Sequence, residues 1–244
     1  MGRTALLVAG LLAPLLLLIR PYTFTIRDVL MACGSGVAMG TGLGLLYYGY
    51  STVSVGVIAP VSSVLLGVVP VAFDVLRGRG ISAVAWMGIA LGLAAVALVT
   101  YLPGGGGNRW AGLWLGASAG IVFGIGFTLM DVTSDAAGLS PVLVQRFAAL
   151  ATLTLARPLD HREWIARRGP MRAAISTGVF AFAAMGSLQL AFRYGSAGPV
   201  SVVTSQYATL AVLLAVVING EKLRWWQAVG ICAAAVGVAM LALG

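Results

Sequence analysis

Apolar stretches long enough to cross a bilayer recur along the whole chain, and they are almost empty of charge. They lie near residues 4–19, 30–49, 53–72, 83–101, 110–130, 141–156, 173–192, 199–218 and 227–243. A spanning helix needs about 20 mostly apolar residues. Charge tests the placement, because an ionisable group in hydrocarbon is costly. The chain has 15 Lys and Arg and 7 Asp and Glu, and of these only Arg146 is expected inside a span. Runs such as LLAPLLLLI and IALGLAAVALV do not alternate apolar and polar residues as the strands of a closed barrel do. The expectation is an all-α integral membrane protein of about nine transmembrane helices, multi-pass in the plasma (inner) membrane, with the lipid bilayer as a partner.

Other classes fall away on composition. With 60% hydrophobic and 9% charged residues, against roughly a quarter charged in a soluble domain, the chain cannot make a water-facing surface. The first span follows Arg3, but RPYTFTIRD after it offers no small-residue cleavage site, so it is expected to be retained. The net charge of +8 sits in short loops, which points to orientation rather than to nucleic acid. Cys33 and Cys232 fall in different spans and His161 is the single histidine, so no disulfide framework, metal or other cofactor is expected. The string GSGVAMG has the wrong spacing for a dinucleotide fingerprint and lies in no βαβ unit.

The chain also resembles itself. YYGYSTVSVGVIAPVSSVLLGVVPV from Tyr47 parallels RYGSAGPVSVVTSQYATLAVLLAVV from Arg193, and GRGISAVAWMGIALGLAAVALV from Gly78 parallels GEKLRWWQAVGICAAAVGVAML from Gly220. The third and fourth spans thus correspond to the eighth and ninth. Equivalent helices five spans apart must cross the bilayer in opposite directions, which is an inverted-topology repeat. The expected division is a first repeat of four helices over residues 1–102, a glycine-rich linker over 103–109 and a second repeat of five helices over 110–244. The helix at 110–130 has no upstream counterpart, so either the first helix of the first repeat is lost or, as is expected here, one further helix precedes Met1.

At these repeats the chain resembles the EamA-type proteins of the drug/metabolite transporter superfamily, built of two five-helix halves. The likeness rests on the last two helices of each half: Gly220 and Glu221 fit the short G-E turn, Gly230 the last-helix glycine, and Pro60 with Val61 the mid-helix proline-valine pair. Gln206 stands where the family often has a second proline, and Arg79 where the first-half glutamate would be. The resemblance implies secondary transport of a small-molecule substrate such as a metabolite, amino acid or drug, by export and alternating access. It also implies a cytoplasmic C-terminus, and the positive-inside rule, applied without the arginine-rich loop after the sixth span, puts the loops holding Arg20 with Arg27 and Arg77 with Arg79 on the same side. A homodimer is compatible with the sequence.

Candidate substrate-binding residues are Arg146, Gln206, Tyr207, Thr204, Ser62, Gln189 and Thr41, with Pro60 as a helix kink. Arg146 in hydrocarbon needs a partner or a water-filled cavity, unless it snorkels to the interface. Facing a cavity, its guanidinium would suit a carboxylate or phosphate. Thr204, Ser205, Gln206 and Tyr207 form a mid-span polar cluster whose repeat partner holds Ser62 and Ser63. Such hydroxyls either bind a solute or join helices. Glycines at 112, 116, 120 and 124, and at 36, 40 and 44, mark faces for close helix packing or sliding. No P-loop is visible, which favours coupling to a gradient over ATP. Two other readings are a membrane enzyme, for which Asp160, His161 and Glu163 are the nearest cluster, and a non-transporting scaffold.

Overall fold

A computed structural model of the chain describes residues 2–18, 23, 25–52, 55–100, 109–156, 168–207, 209–210, 213, 217 and 224–243. Among them are nine α-helices and no strand: α1 (Gly2–Leu12), α2 (Ile26–Thr52), α3 (Val55–Leu76), α4 (Ala83–Thr100), α5 (Arg109–Asp131), α6 (Ser140–Leu155), α7 (Arg168–Tyr194), α8 (Ala197–Ser205) and α9 (Trp225–Leu243). Stretches in α2, α5 and α7 (Ile26–Thr52, Trp110–Asp131 and Met171–Tyr194) are long and apolar enough to cross a membrane, and four shorter apolar helices accompany them. Large apolar side chains face outward, among them Leu11, Trp114 and Phe180, each more than 70% exposed. In water such a surface would aggregate; against lipid tails it is the expected exterior.

Several helices differ from the apolar runs that announce them. The first run is not one regular helix: α1 ends at Leu12 and a tighter 3-10 segment follows over Ala13–Leu18. Pro14 falls within it, where the missing N–H and the ring's clash with the carbonyl four residues back oppose an α-turn. Others are longer than expected. Because α2, α3 and α7 run past their apolar windows, Asp28, Asp74 and Arg193 lie within helices, so Arg146 is not the one helical ionisable residue. The backbone of α3 is helical through position 60. The side chain of Pro60, residues 103–108 of the expected 103–109 linker and the Asp160, His161, Glu163 loop lie outside the described residues, and Arg109 begins α5.

The chain divides into two compact units, Met1–Gly44 with Ile125–Gly195, and Leu45–Gly124 with Ser196–Gly244. Each draws on both sides of the glycine-rich linker. In the first unit α1 packs on α6 and α7. A Cβ at Gly178 would lie 2.6 Å from Val8 Cβ, and one at Gly40 would lie 2.8 Å from the Ala149 carbonyl oxygen. Backbones therefore meet directly where glycine removes the side chain. Phe127 and Phe192 stack edge to face, their centroids 6.0 Å apart.

In the second unit α4 packs on α9, and α3 on α8 and α4. Gly88 and Gly237 bring α4 and α9 into backbone contact, a Cβ at Gly88 falling 2.9 Å from the Gly237 carbonyl oxygen. The glycines of α5 face α3: Gly116 meets Ile58 and Val61, Gly120 meets Ser62 and Leu65, and Gly124 meets Val69 and Pro70. Val71, Ile89 and Val202 form a buried apolar cluster beside Leu93 and Leu241.

Candidate functional site

The polar side chains expected from the sequence fall into two groups, one in each unit. In the second unit the group gathers where α8 loses its regularity. The amide N–H of Gln206 donates to Val203, three residues back, at 3.1 Å, a 3-10 contact. The Val202 carbonyl instead accepts from Ser205 Oγ at 2.7 Å and from Gln206 Nε2 at 3.4 Å. Gln206 Nε2 also donates to the Gly92 carbonyl of α4 at 3.0 Å, and its Oε1 accepts from Thr209 Oγ1 at 3.1 Å. A cluster of Ser, Gln and Thr able to bond local carbonyls thus competes with the main-chain ladder.

Tyr207 is half exposed and its hydroxyl lies 3.4 Å from Ser63 Oγ of α3. The paired polar stretches of α3 and α8 therefore do meet, through Ser63 and Tyr207. Ser62 is buried and donates to its own helix at the Ala59 carbonyl, and Thr204 does likewise at the Val200 carbonyl. Their hydroxyls are committed locally. The Oγ of Ser201, fully buried, has no hydrogen-bond partner among the described residues.

In the first unit Arg146 is buried in α6, seven residues into the helix. Its Nη2 donates to Gln145 Oε1 at 3.4 Å and its Nε has no partner among the described residues. Gln145 Nε2 donates to Ser35 Oγ of α2 at 2.8 Å, and Ser35 donates to the Gly126 carbonyl of α5 at 2.7 Å. Thr41 is exposed on α2, away from this chain of bonds. Gln189 is buried in α7, where its amide donates to Thr133 Oγ1 at 3.1 Å. Arg193 completes that corner, its two terminal nitrogens donating to the Thr133 carbonyl and hydroxyl, the Gly138 carbonyl and Asp135 Oδ1.

Two buried aspartates are not marked by the sequence pattern. Asp28 accepts from the Ser134 amide at 2.7 Å, from Ser134 Oγ at 2.8 Å and from Thr25 Oγ1. Asp74 accepts from Arg79 Nη1 at 2.9 Å and from the Gly198 amide at 2.6 Å. Ser196, at the N-cap of α8, makes no side-chain cap bond. The carboxylate of α3 fills that place, where the helix dipole favours an anion. Both aspartates flank apolar windows, so a search for charges inside spans passes over them. Arg193 stands in the repeat match itself, immediately before Tyr194 and Gly195.

Comparison with known proteins fits this helical, lipid-facing architecture. No curated protein matches the chain. One solved crystal structure superposes with a TM-score of 0.67 over 99% of this chain and 96% of its own, at 15% identity, which shows a shared fold. The EamA-like transporter family model matches residues 110–243, more than half of the 244-residue chain. With apolar helices, an apolar exterior and this match together, the chain belongs to the EamA-like transporter family, whose members are membrane transporters of small solutes.

Proposed function

We propose that this protein is a secondary transporter, acting as an exporter of a small metabolite, amino acid or drug across the plasma membrane. It works by alternating access between two inverted repeats that together supply nine spans, coupled to a proton or solute gradient. The observation that carries this reading is the interruption of α8 at Gln206. Main-chain carbonyls withdrawn from a helix ladder within a span are tolerated where they line a cavity, and such interruptions mark substrate sites in inverted-repeat transporters. Gln206 and Tyr207 are the contacts we propose for the solute. Ser62, Thr204, Gln189 and Thr41 are assigned a lesser part, since the hydroxyls of Ser62 and Thr204 and the Nε2 of Gln189 donate within the protein and Thr41 is exposed.

Helix pairing supports the repeat. By the self-similarity of the sequence α3 and α4 correspond to α8 and α9, and by position α1 and α2 correspond to α6 and α7. In the first unit the close approach of α2 to α6 at Gly40 is matched by that of α7 to α1 at Gly178. In the second unit equivalent helices pair with each other, α3 with α8 and α4 with α9. These are the pairings that a two-fold relation would produce.

Counterflow in liposomes tests the function. Purified protein, with vesicles preloaded separately with amino acids, organic cations and organic acids, should exchange at least one of them without ATP. Gln206→Leu should raise the half-saturating concentration or abolish exchange. Absence of exchange for every solute, or a strict ATP requirement, would overturn the reading.

A further inference from the structure

Arg146 is a buried and Arg193 a partly buried arginine on helices of the same unit, and the surroundings of their terminal nitrogens are opposite. The terminal nitrogens of Arg193 make four hydrogen bonds, one of them an ion pair with Asp135 at 3.2 Å, although its Nε, like that of Arg146, has no partner among the described residues. Arg146 is 5% exposed, and its guanidinium is nearly empty-handed. Among the described residues it is offered one long contact, to Gln145, with no carboxylate at ion-pair distance and no partner for Nε. A snorkelling arginine keeps its head in water, and so little exposure does not fit that. An unpaired cation out of water is strongly unfavourable unless something compensates it. Its position, seven residues into α6, is roughly 9 Å from the helix start at about 1.5 Å per residue.

We infer that Arg146 is an anion receptor, and that the solute moved by this protein carries an oxyanion, a carboxylate or phosphate, which the guanidinium fork receives. This rests on the transport reading above and names the solute's class. Guanidinium N–H groups pair with two oxygens of such an anion at once, which a point cation cannot do. Gln145 and Ser35 are positioning residues. Ser35 donates to the Gly126 carbonyl and so turns its lone pairs to Gln145 Nε2. That bond directs Gln145 Oε1 towards Arg146, holding one edge of the guanidinium and leaving its other donors for the ligand.

The test is binding in phospholipid-free detergent, read as the thermal shift of tryptophan fluorescence. The probes are matched pairs, benzoate with benzamide and glutamate with glutamine, together with inorganic phosphate. Phosphatidylglycerol is titrated in a separate arm. At least one soluble anion should stabilise the wild type while its neutral amide does not. Arg146→Gln should abolish that shift, Arg146→Lys should retain part of it, and Ser35→Ala should weaken binding about three- to tenfold. Because Arg146→Gln could fail to fold, Arg146→Lys and Ser35→Ala test the same inference independently of it. Equal shifts in wild type and all variants would overturn the inference. So would stabilisation of the wild type by phosphatidylglycerol alone, which would assign Arg146 to a lipid headgroup. Exchange of cations and neutral solutes but never anions in liposomes would overturn this inference and leave transport standing. An anion shift lost in Arg146→Gln, with no exchange of any solute, would uphold anion binding and overturn transport instead.

Discussion

Replacing Gly120 with alanine tests whether the α5 glycines are there for contact with α3. The added Cβ would lie 2.6 Å from the Ser62 carbonyl oxygen, 2.8 Å from Leu65 Cβ and 2.9 Å from Ser62 Cα. Carbon atoms rest about 3.5–4.0 Å apart, so the helices would have to part by about 0.7 Å or more. None of the three atoms is the end of a flexible side chain that could swing aside. Overpacking of this kind costs about 1–3 kcal/mol, offset by about 1 kcal/mol from the better helix propensity of alanine. Gly10 in α1 is the control, because a Cβ there meets nothing within 4 Å and the propensity gain of about 1 kcal/mol acts alone. The two variants should therefore differ by about 1–3 kcal/mol. At roughly 2–4 °C per kcal/mol for a chain of this size, Gly120→Ala should melt several degrees below Gly10→Ala in the same detergent. A Gly120→Ala protein as stable as Gly10→Ala would refute the close-contact reasoning.

Three other outcomes are expected. Asp74→Ala should cost about 1–3 kcal/mol in chemical unfolding by leaving the Gly198 amide without its acceptor, whereas Arg79→Ala, at the partly exposed end of the pair, should cost under about 1 kcal/mol; the reverse order would make the ion pair, and not the helix cap, the stabilising element. Tyr207→Phe should leave melting nearly unchanged, since its 3.4 Å contact with Ser63 is long and such bonds contribute about 0.6 kcal/mol, yet raise the half-saturating solute concentration several-fold in counterflow; an unchanged value removes Tyr207 from the solute path. A reporter that fluoresces only in the cytoplasm, fused after Gly244, should be bright, and a dark but stably expressed fusion would invert the assigned orientation.

Long apolar runs make the helices legible, because a spanning segment must satisfy every backbone group internally and little else can be written in 20 apolar letters. The glycine spacing on α2 and α5 is equally readable, and both faces pack as that spacing implies. Legibility ends where a residue's role depends on what faces it. Arg146 can be located from the sequence, but its burial, and the lack of a carboxylate beside it among the described residues, depend on where α6 packs. Gln189 reads as a mid-span amide free for a solute, whereas its Nε2 is taken by Thr133. The 3-10 contact at Gln206 arises from competition between local donors that no hydropathy pattern records. Asp28 and Asp74 look like loop charges because the apolar window opens about a turn after α2 begins and closes about a turn before α3 ends.

The interleaving of the two units has a consequence for biogenesis. Neither unit can be assembled from a contiguous stretch of nascent chain: Met1–Gly44 must await Ile125–Gly195, and Leu45–Gly124 must await Ser196–Gly244. The bond from Gly198 to Asp74 closes across 124 residues. Early helices therefore leave the insertion machinery with their glycine faces uncovered and Asp74 without the amide it will cap. They depend on lipid or a chaperone for cover until the later helices arrive. The α2 face at Gly36 and Gly40 stays open until α6 emerges, and the α1 face at Ala5 and Val8 until α7 does. Synthesis must run through α7 before even the first unit has its own interior, and through α9 before the second does.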